Sequence, residues 1–214
     1  MVKDAAALAK GAKVVGLGSG STAAYIVKEL AELKDDRMQF VATSLQIKIE
    51  AEKNKLAIAD ESKIPDIDIV FDGADQIDKN LYMIKGGGGA LLREKILISS
   101  AKKVVILADE SKFVSQFSRS VPIEVHPMAR SSAAKRLTHL GGKPALRLLD
   151  KGYPFITENG NIILDTTFPS IEQPPEREVE LGAIPGVMEV GIFTRKADVY
   201  YKAMNNGKFE QIKP

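Results

Sequence analysis

Apolar positions in this chain form short runs that alternate with longer stretches of helical spacing. Lys13-Val-Val-Gly16 reads as a strand, followed by a glycine-rich turn and by Ala23 to Leu33, where apolar residues recur at helical intervals. Phe40-Val-Ala42 predicts a second strand, Leu45 to Lys55 a helix, Asp66 to Phe71 a third strand, Leu91 to Ser100 a helix, and Val104 to Ala108 a fourth strand. Strands alternating with helices at these lengths imply right-handed parallel crossovers, hence an α/β class with a Rossmann-like doubly wound sheet.

After about Val121 the pattern changes. Pro122-Ile-Glu-Val125 alternates like a half-buried strand, and Ala129 to Leu140 reads as a helix stopped by Gly141-Gly142. Lys143 to Leu149 and Asn161 to Asp165 flank a turn at Glu158-Asn-Gly160, and Glu176 to Leu181 and Val187 to Phe193 supply a helix and a strand. The order strand, helix, strand, strand, helix, strand predicts a small ferredoxin-like α+β unit. The chain therefore divides into a Rossmann-like domain of residues 1–120 and 197–214, which receives Ala197 to Met204 back, and a smaller domain of residues 121–196.

Composition narrows the function without naming it. The 44% hydrophobic and 27% charged content is ordinary for a globular protein, and a formal net charge of +2 points to no polyanionic partner, nucleic acid included. The absence of cysteine removes thiol nucleophiles, disulfides and thiolate metal sites together. The apolar run near Met1 is too short for a signal peptide, and none approaches the roughly 20 residues of a membrane span, so the expected location is cytoplasmic.

Chemistry concentrates in two places. Gly16-Leu-Gly-Ser-Gly-Ser-Thr22 lies between a strand and a helix N-terminus, where backbone N–H groups and the helix dipole favour phosphate and Ser21 and Thr22 add neutral donors. The plainer reading is a tight turn capped by Ser21 or Thr22. A dinucleotide site fits less well: Ser21 occupies the third glycine position, and Thr43-Ser44, with no acid, follow the second strand. The second place is Asp72-Gly-Ala-Asp-Gln-Ile-Asp78 at the carboxyl end of the apolar run Ile67 to Phe71, with Lys85-Gly-Gly-Gly-Gly-Ala-Leu-Leu-Arg-Glu94 close behind. Open α/β sheets bind ligands at that end of their strands.

Asp-Gly is a common turn former, so one such dipeptide would be a solvated turn; Lys85 ten residues on from Asp75 favours a charge-balanced catalytic cluster. The aspartate spacing does not fit an EF-hand, and a magnesium site would need phosphate or further acids. Gly86, Gly87, Gly88 and Gly89 are costly in backbone entropy, which argues for positive φ or close approach of a ligand, and successive N–H groups there would form an anion nest. Glu94 on an isolated helix is a favourable charge near the N-terminus; beside a carboxylate cluster it is a candidate general base. His126 and His139 do not stand at ligand spacing on one helix, so no metal site is expected.

Taken together, Gly16 to Thr22, Asp72-Gly-Ala-Asp75, Lys85-Gly-Gly-Gly88 with Arg93-Glu94-Lys95, Ala108-Asp-Glu-Ser-Lys112, Pro122-Ile-Glu-Val125 and Thr157-Glu-Asn-Gly-Asn161 resemble ribose-5-phosphate isomerase, type A, in order and over nearly the whole chain. The resemblance implies a cofactor-free aldose-ketose isomerisation of ribose 5-phosphate and ribulose 5-phosphate in a cytoplasmic homodimer or homotetramer. By matching positions, Glu94 is the base that shuttles a proton between C2 and C1 through an enediolate, and Asp72, Asp75 and Lys85 hold the hydroxyls and carbonyl and assist ring opening. Ser19, Gly20, Ser21, Thr22, Gly73, Ala74, Gly86, Gly87, Gly88 and Lys112 complete the implied phosphosugar-binding set.

The chain departs from the family pattern at Gln76, where an acid is frequent, and at Phe117-Ser118, where Leu-Gly is more usual. A short segment ahead of Gly16 leaves open whether Lys3 or Lys10 reaches the phosphate. Two rival functions stay in view. A phosphosugar-sensing effector domain would need phosphate binding without a base, and a coenzyme A transferase would use its glutamate as nucleophile.

Overall fold

Buried apolar runs become strands and amphipathic stretches become helices in the computed structural model, which describes residues 1–33, 35–63 and 66–214. Val2–Ala6 forms a short helix (α1), and Val14–Leu17 (β1) leads through the glycine turn into Gly20–Ala31 (α2), Gln39–Ala42 (β2) and Leu45–Lys53 (α3). Ile67–Asp72 (β3) precedes two very short strands, Gln76–Ile77 (β4) and Met83–Ile84 (β5), then Leu91–Ser100 (α4) and Ala101–Asp109 (β6). Val121–Val125 (β7), Arg130–His139 (α5), Lys143–Leu146 (β8), Ile162–Thr167 (β9), Pro174–Gly182 (α6) and Val187–Val190 (β10) follow. Ile192–Phe193 (β11), Val199–Ala203 (β12) and Phe209–Ile212 (β13) come last.

One compact unit comprises residues 1–74, 93–113 and 196–214. Its sheet runs β2-β1-β3-β6-β12-β13, with the first five strands parallel and β13 added antiparallel at the edge. This is the Rossmann-like sheet predicted from the alternation of strands and helices. Helix α2 turns Ala23, Ile26, Val27 and Leu30 inward, the i, i+3, i+4, i+7 stripe of a helix lying on a sheet. They join Leu17, Phe71, Leu107 and Tyr201 in the core, where each large apolar side chain contributes about 1.5–3 kcal/mol by burial. The Tyr201 hydroxyl donates to Asp4 Oδ2 at 2.6 Å and fixes α1 to β12; burial first, then the Asp4 carboxylate, pushes this phenol well above its usual range. Asp68 ties neighbouring strands by accepting from the Lys13 and Val14 amides and from Lys102 Nζ.

The other unit comprises residues 75–92 and 114–195. Strands β7 to β10 with α5 and α6 make an antiparallel sheet in the order β10-β7-β9-β8, the ferredoxin-like arrangement. Its core gathers Val121, Ile123, Val125, Leu137, Leu164, Leu181 and Ile192. Buried Glu124 draws two sequence motifs into one network: its Oε1 accepts from the Thr157 hydroxyl at 2.9 Å, Asn159 Nδ2 at 2.9 Å and Asn161 Nδ2 at 2.8 Å.

The division by contacts differs from the sequence boundaries. Residues 75–92 group with the second unit because β4 and β5 form a small sheet with β11, in the order β11-β5-β4. The single strand expected over Val187 to Phe193 is two strands in different sheets, broken at Gly191. A Cβ there would lie 2.5 Å from the Lys85 carbonyl and 2.7 Å from that of Pro122, so only glycine fits.

Candidate active site

The carboxyl edge of the parallel sheet carries the first group of candidate residues. Strands β1 and β3 end abreast, with Leu17 opposite Phe71, so Gly18 and Asp72 emerge side by side. A Cβ on Gly18 would sit 1.9 Å from Asp72 Oδ1, so the carboxylate occupies the space that any other residue would fill. Asp72 is 1% exposed, and its Oδ1 accepts from the Gly73 amide at 2.7 Å. Gly73 in turn lies near Thr22, with Ala74 next along the chain.

Ser19, and neither Ser21 nor Thr22, holds the N-cap position of α2, with extended backbone at φ −120° and ψ 170°. Its side chain makes no cap bond to the helix. The hydroxyl instead donates to Glu94 Oε1 at 2.6 Å. One serine thus orients the candidate base and leaves the first amides of α2, at Gly20, Ser21 and Thr22, without a side-chain cap from that position. Gly20 supplies the positive φ of +84° at this bend. Glu94 stands in the first turn of α4 and is 4% exposed, a buried acid of the kind that catalytic sites use. Lys112 follows β6 on a single 3-10 turn, Glu110–Lys112, which Asp109 caps by accepting from the Ser111 amide at 3.0 Å.

The second group lies in the other unit. Lys85 is 3% exposed, its amide donates to the Gly191 carbonyl at 2.9 Å, and its ammonium lies 5.5 Å from the centre of the Phe193 ring. Asp75 accepts from the Gly87 amide at 2.8 Å, and Arg119 Nη1 lies 3.7 Å from its other oxygen. Three of the four glycines have a steric or conformational reason. Gly86 and Gly89 have φ of +102° and +80°, and a Cβ on Gly89 would strike the Phe155 ring at 2.4 Å. A Cβ on Gly87 would press on the Asp75 carboxylate at 2.7 Å, while Gly88 is exposed.

Other polar positions have structural work. Asp78 closes the β4–β5 turn by accepting from the Asn80 and Tyr82 amides. Gln76, one departure from the family pattern, meets Ser118, the other: Nε2 donates to the Ser118 hydroxyl at 2.8 Å, and Oε1 accepts from the Ser118 and Arg119 amides. His126 accepts from the Met128 amide and His139 faces the Lys135 carbonyl. Lys3 and Lys10 are exposed. Among the described residues, no three histidine, aspartate or glutamate side chains gather in a way that could hold a metal ion. Sequence reasoning missed Arg147 and Arg119, which belong to no motif and reach their partners only through the fold.

Comparison with known proteins identifies the family. The family profile of ribose 5-phosphate isomerase A (phosphoriboisomerase A) matches residues 39–207. Ribose-5-phosphate isomerase A of Methanosarcina acetivorans is 42% identical over 92% of this chain and 86% of its own, and that of Pyrococcus horikoshii is 41% identical over 91% and 88%. The structure of ribose 5-phosphate isomerase A from Methanocaldococcus jannaschii superposes with a TM-score of 0.92 at 38% identity, covering 100% of this chain and 96% of that one. A D-ribose-5-phosphate isomerase in complex with phospho-erythronic acid gives 0.91 at 38% identity, covering 100% and 97%. The chain belongs to the ribose 5-phosphate isomerase A family.

Proposed function

We propose that this protein interconverts D-ribose 5-phosphate and D-ribulose 5-phosphate by proton transfer through an enediolate, with Glu94 as the base. The observation that carries the assignment of the base is the Ser19–Glu94 hydrogen bond, which holds a buried carboxylate at the carboxyl edge of a parallel sheet, next to the uncapped start of α2. The amides of Gly20, Ser21 and Thr22, their hydroxyls and Lys112 supply phosphate contacts. Asp72 and Asp75 with Gly73 and Ala74 bind sugar hydroxyls and promote ring opening.

On the open aldehyde, Glu94 removes the C2 proton. The C–H electron pair becomes the C1–C2 double bond, and the C1 carbonyl pair moves onto oxygen. Lys85 and the amides of Gly86, Gly87 and Gly88 stabilise that oxyanion. Glu94 then returns the proton to C1 while the C2 hydroxyl loses its proton and O1 gains one, giving the ketose. No redox partner enters the balance.

We also infer a cytoplasmic homodimer or homotetramer. No helix among the described residues is long and apolar enough to cross a membrane. Incubation of ribose 5-phosphate with purified protein in deuterated water tests the reaction class: conversion to ribulose 5-phosphate is expected, with deuterium at C1 in those turnovers in which the Glu94 carboxyl exchanges its proton with solvent before returning it. Absence of conversion, or acyl transfer from acyl-coenzyme A to a carboxylate, would overturn it.

A further inference from the structure

Arg147 stands on the chain just after β8 and is held on three sides. Its Nε and Nη2 donate to the two oxygens of Asp165 at 2.8 and 2.5 Å, its guanidinium lies 5.7 Å from the centre of the Phe155 ring, and only 15% of the side chain is exposed. The remaining nitrogen, Nη1, donates to two successive carbonyls of the glycine turn, Gly86 at 2.8 Å and Gly87 at 3.0 Å. Phe155 also packs on the turn, filling the space a side chain at Gly89 would need.

This clamp, together with the Gly89 amide donating to the Gly86 carbonyl at 3.0 Å, sets where the amides of the turn point. In a trans peptide the carbonyl and the following N–H lie on opposite sides, and the described chain contains no cis bond. With the Gly86 carbonyl on Arg147, the Gly87 N–H faces away from it, and there it meets Asp75 Oδ2 at 2.8 Å. With the Gly87 carbonyl also on Arg147, the Gly88 N–H is turned away from the guanidinium, at an exposed position. A half-buried cation on both carbonyls polarises these peptides and makes their N–H groups stronger donors.

We propose that Arg147, braced by Asp165 and Phe155, is a positioning residue for the isomerisation: it aims the Gly88 amide, and through the Gly87 amide the Asp75 carboxylate, at the reacting end of the sugar. The proposal rests on the functional reading above. It predicts a defect confined to the reacting end, with phosphate contacts untouched.

The test uses Arg147→Lys, which keeps the charge but loses the planar fork, together with Arg147→Met and Asp165→Asn. Melting temperature, kcat, KM and inhibition by phospho-erythronic acid and by inorganic phosphate are measured for each. A misdirected amide donor is expected to lower kcat of Arg147→Lys by about 10- to 100-fold with KM within about threefold. Inhibition by phospho-erythronic acid weakens about tenfold while inhibition by phosphate is unchanged. Asp165→Asn moves the same way by less. If Arg147→Met does not fold, Arg147→Lys decides. A folded Arg147→Lys protein with kcat within about twofold of wild type overturns the proposal alone, as does parallel weakening of phosphate inhibition, which would mark general loosening. An inactive wild type overturns the functional reading and this proposal with it.

Discussion

The hydroxyl of Ser19 donates to Glu94 across 75 positions of sequence, at 2.6 Å, from the N-cap position of a helix that receives no cap from it. A serine at this position ordinarily stabilises its own helix by about 1 kcal/mol. Here that bond is forgone to orient a carboxylate. Ser19→Ala is therefore expected to fold with a loss of about 1–3 kcal/mol from the carboxylate oxygen that loses its donor and to lower kcat by about tenfold, as removal of a positioning contact does. Steady-state kinetics beside thermal unfolding check this; a destabilised protein with unchanged kcat would mean that the serine serves the fold.

Gly18 and Asp72 make a second such pair. A methyl group at position 18 cannot coexist with the Asp72 carboxylate where it stands. Gly18→Ala is expected to displace Asp72, to cost about 1–3 kcal/mol in overpacking and to remove most activity. Retention of more than half the wild-type kcat/KM by the folded variant would contradict the placement of Asp72 in the reaction.

The two departures from the family pattern are hydrogen-bond partners. Gln76 Oε1 accepts from two backbone amides, and its amide nitrogen donates to Ser118. Glu at position 76 would keep the acceptor, and the Ser118 hydroxyl can rotate to donate in place of the lost amide. Gln76→Glu is thus expected to be nearly neutral at pH 7, whereas Gln76→Ala removes the partner of both amides and costs about 0.5–1.5 kcal/mol. Equal destabilisation of the two variants in urea unfolding would contradict the exchange of roles.

Asp68 gives a pH signature. The Lys102 ammonium foremost, then the Lys13 and Val14 amides, hold its carboxyl at about 2, against an ordinary value of 3.8. A depressed carboxyl contributes stability that is full above its unfolded value and is lost as pH falls from about 4 through about 2. The side chain is 28% exposed, so solvent screening reduces the contribution to about 1 kcal/mol. Asp68→Asn is expected to lower stability at pH 7 by that amount and to flatten the loss below pH 4. Parallel stability curves for the two proteins between pH 5 and 2 would refute this.

Much of the fold is legible in the chain because buried parallel strands are continuous apolar runs: β1, β3 and β6 announce themselves, as does the stripe of α2. The strands β4 and β5 do not. Two residues are too few to show a period, and the pairing of β5 with β11 is a tertiary event more than 100 residues away in sequence, which is why residues 75–92 group by contact with the second unit. The locations of Glu94, Asp72 and Lys85 were readable from motif and strand end. The Ser19–Glu94 bond and the Arg147 clamp were not, since a lone serine or arginine carries no periodic signal and its partner is chosen by the fold.

The most direct test of the account compares wild type with Glu94→Gln for conversion of ribose 5-phosphate to ribulose 5-phosphate in the presence of a chelator. Turnover by wild type that survives chelation and falls by roughly two to four orders of magnitude in a folded Glu94→Gln protein is the predicted result. Near-normal turnover by that variant, or wild-type activity lost to the chelator, would contradict a metal-free proton transfer carried by Glu94.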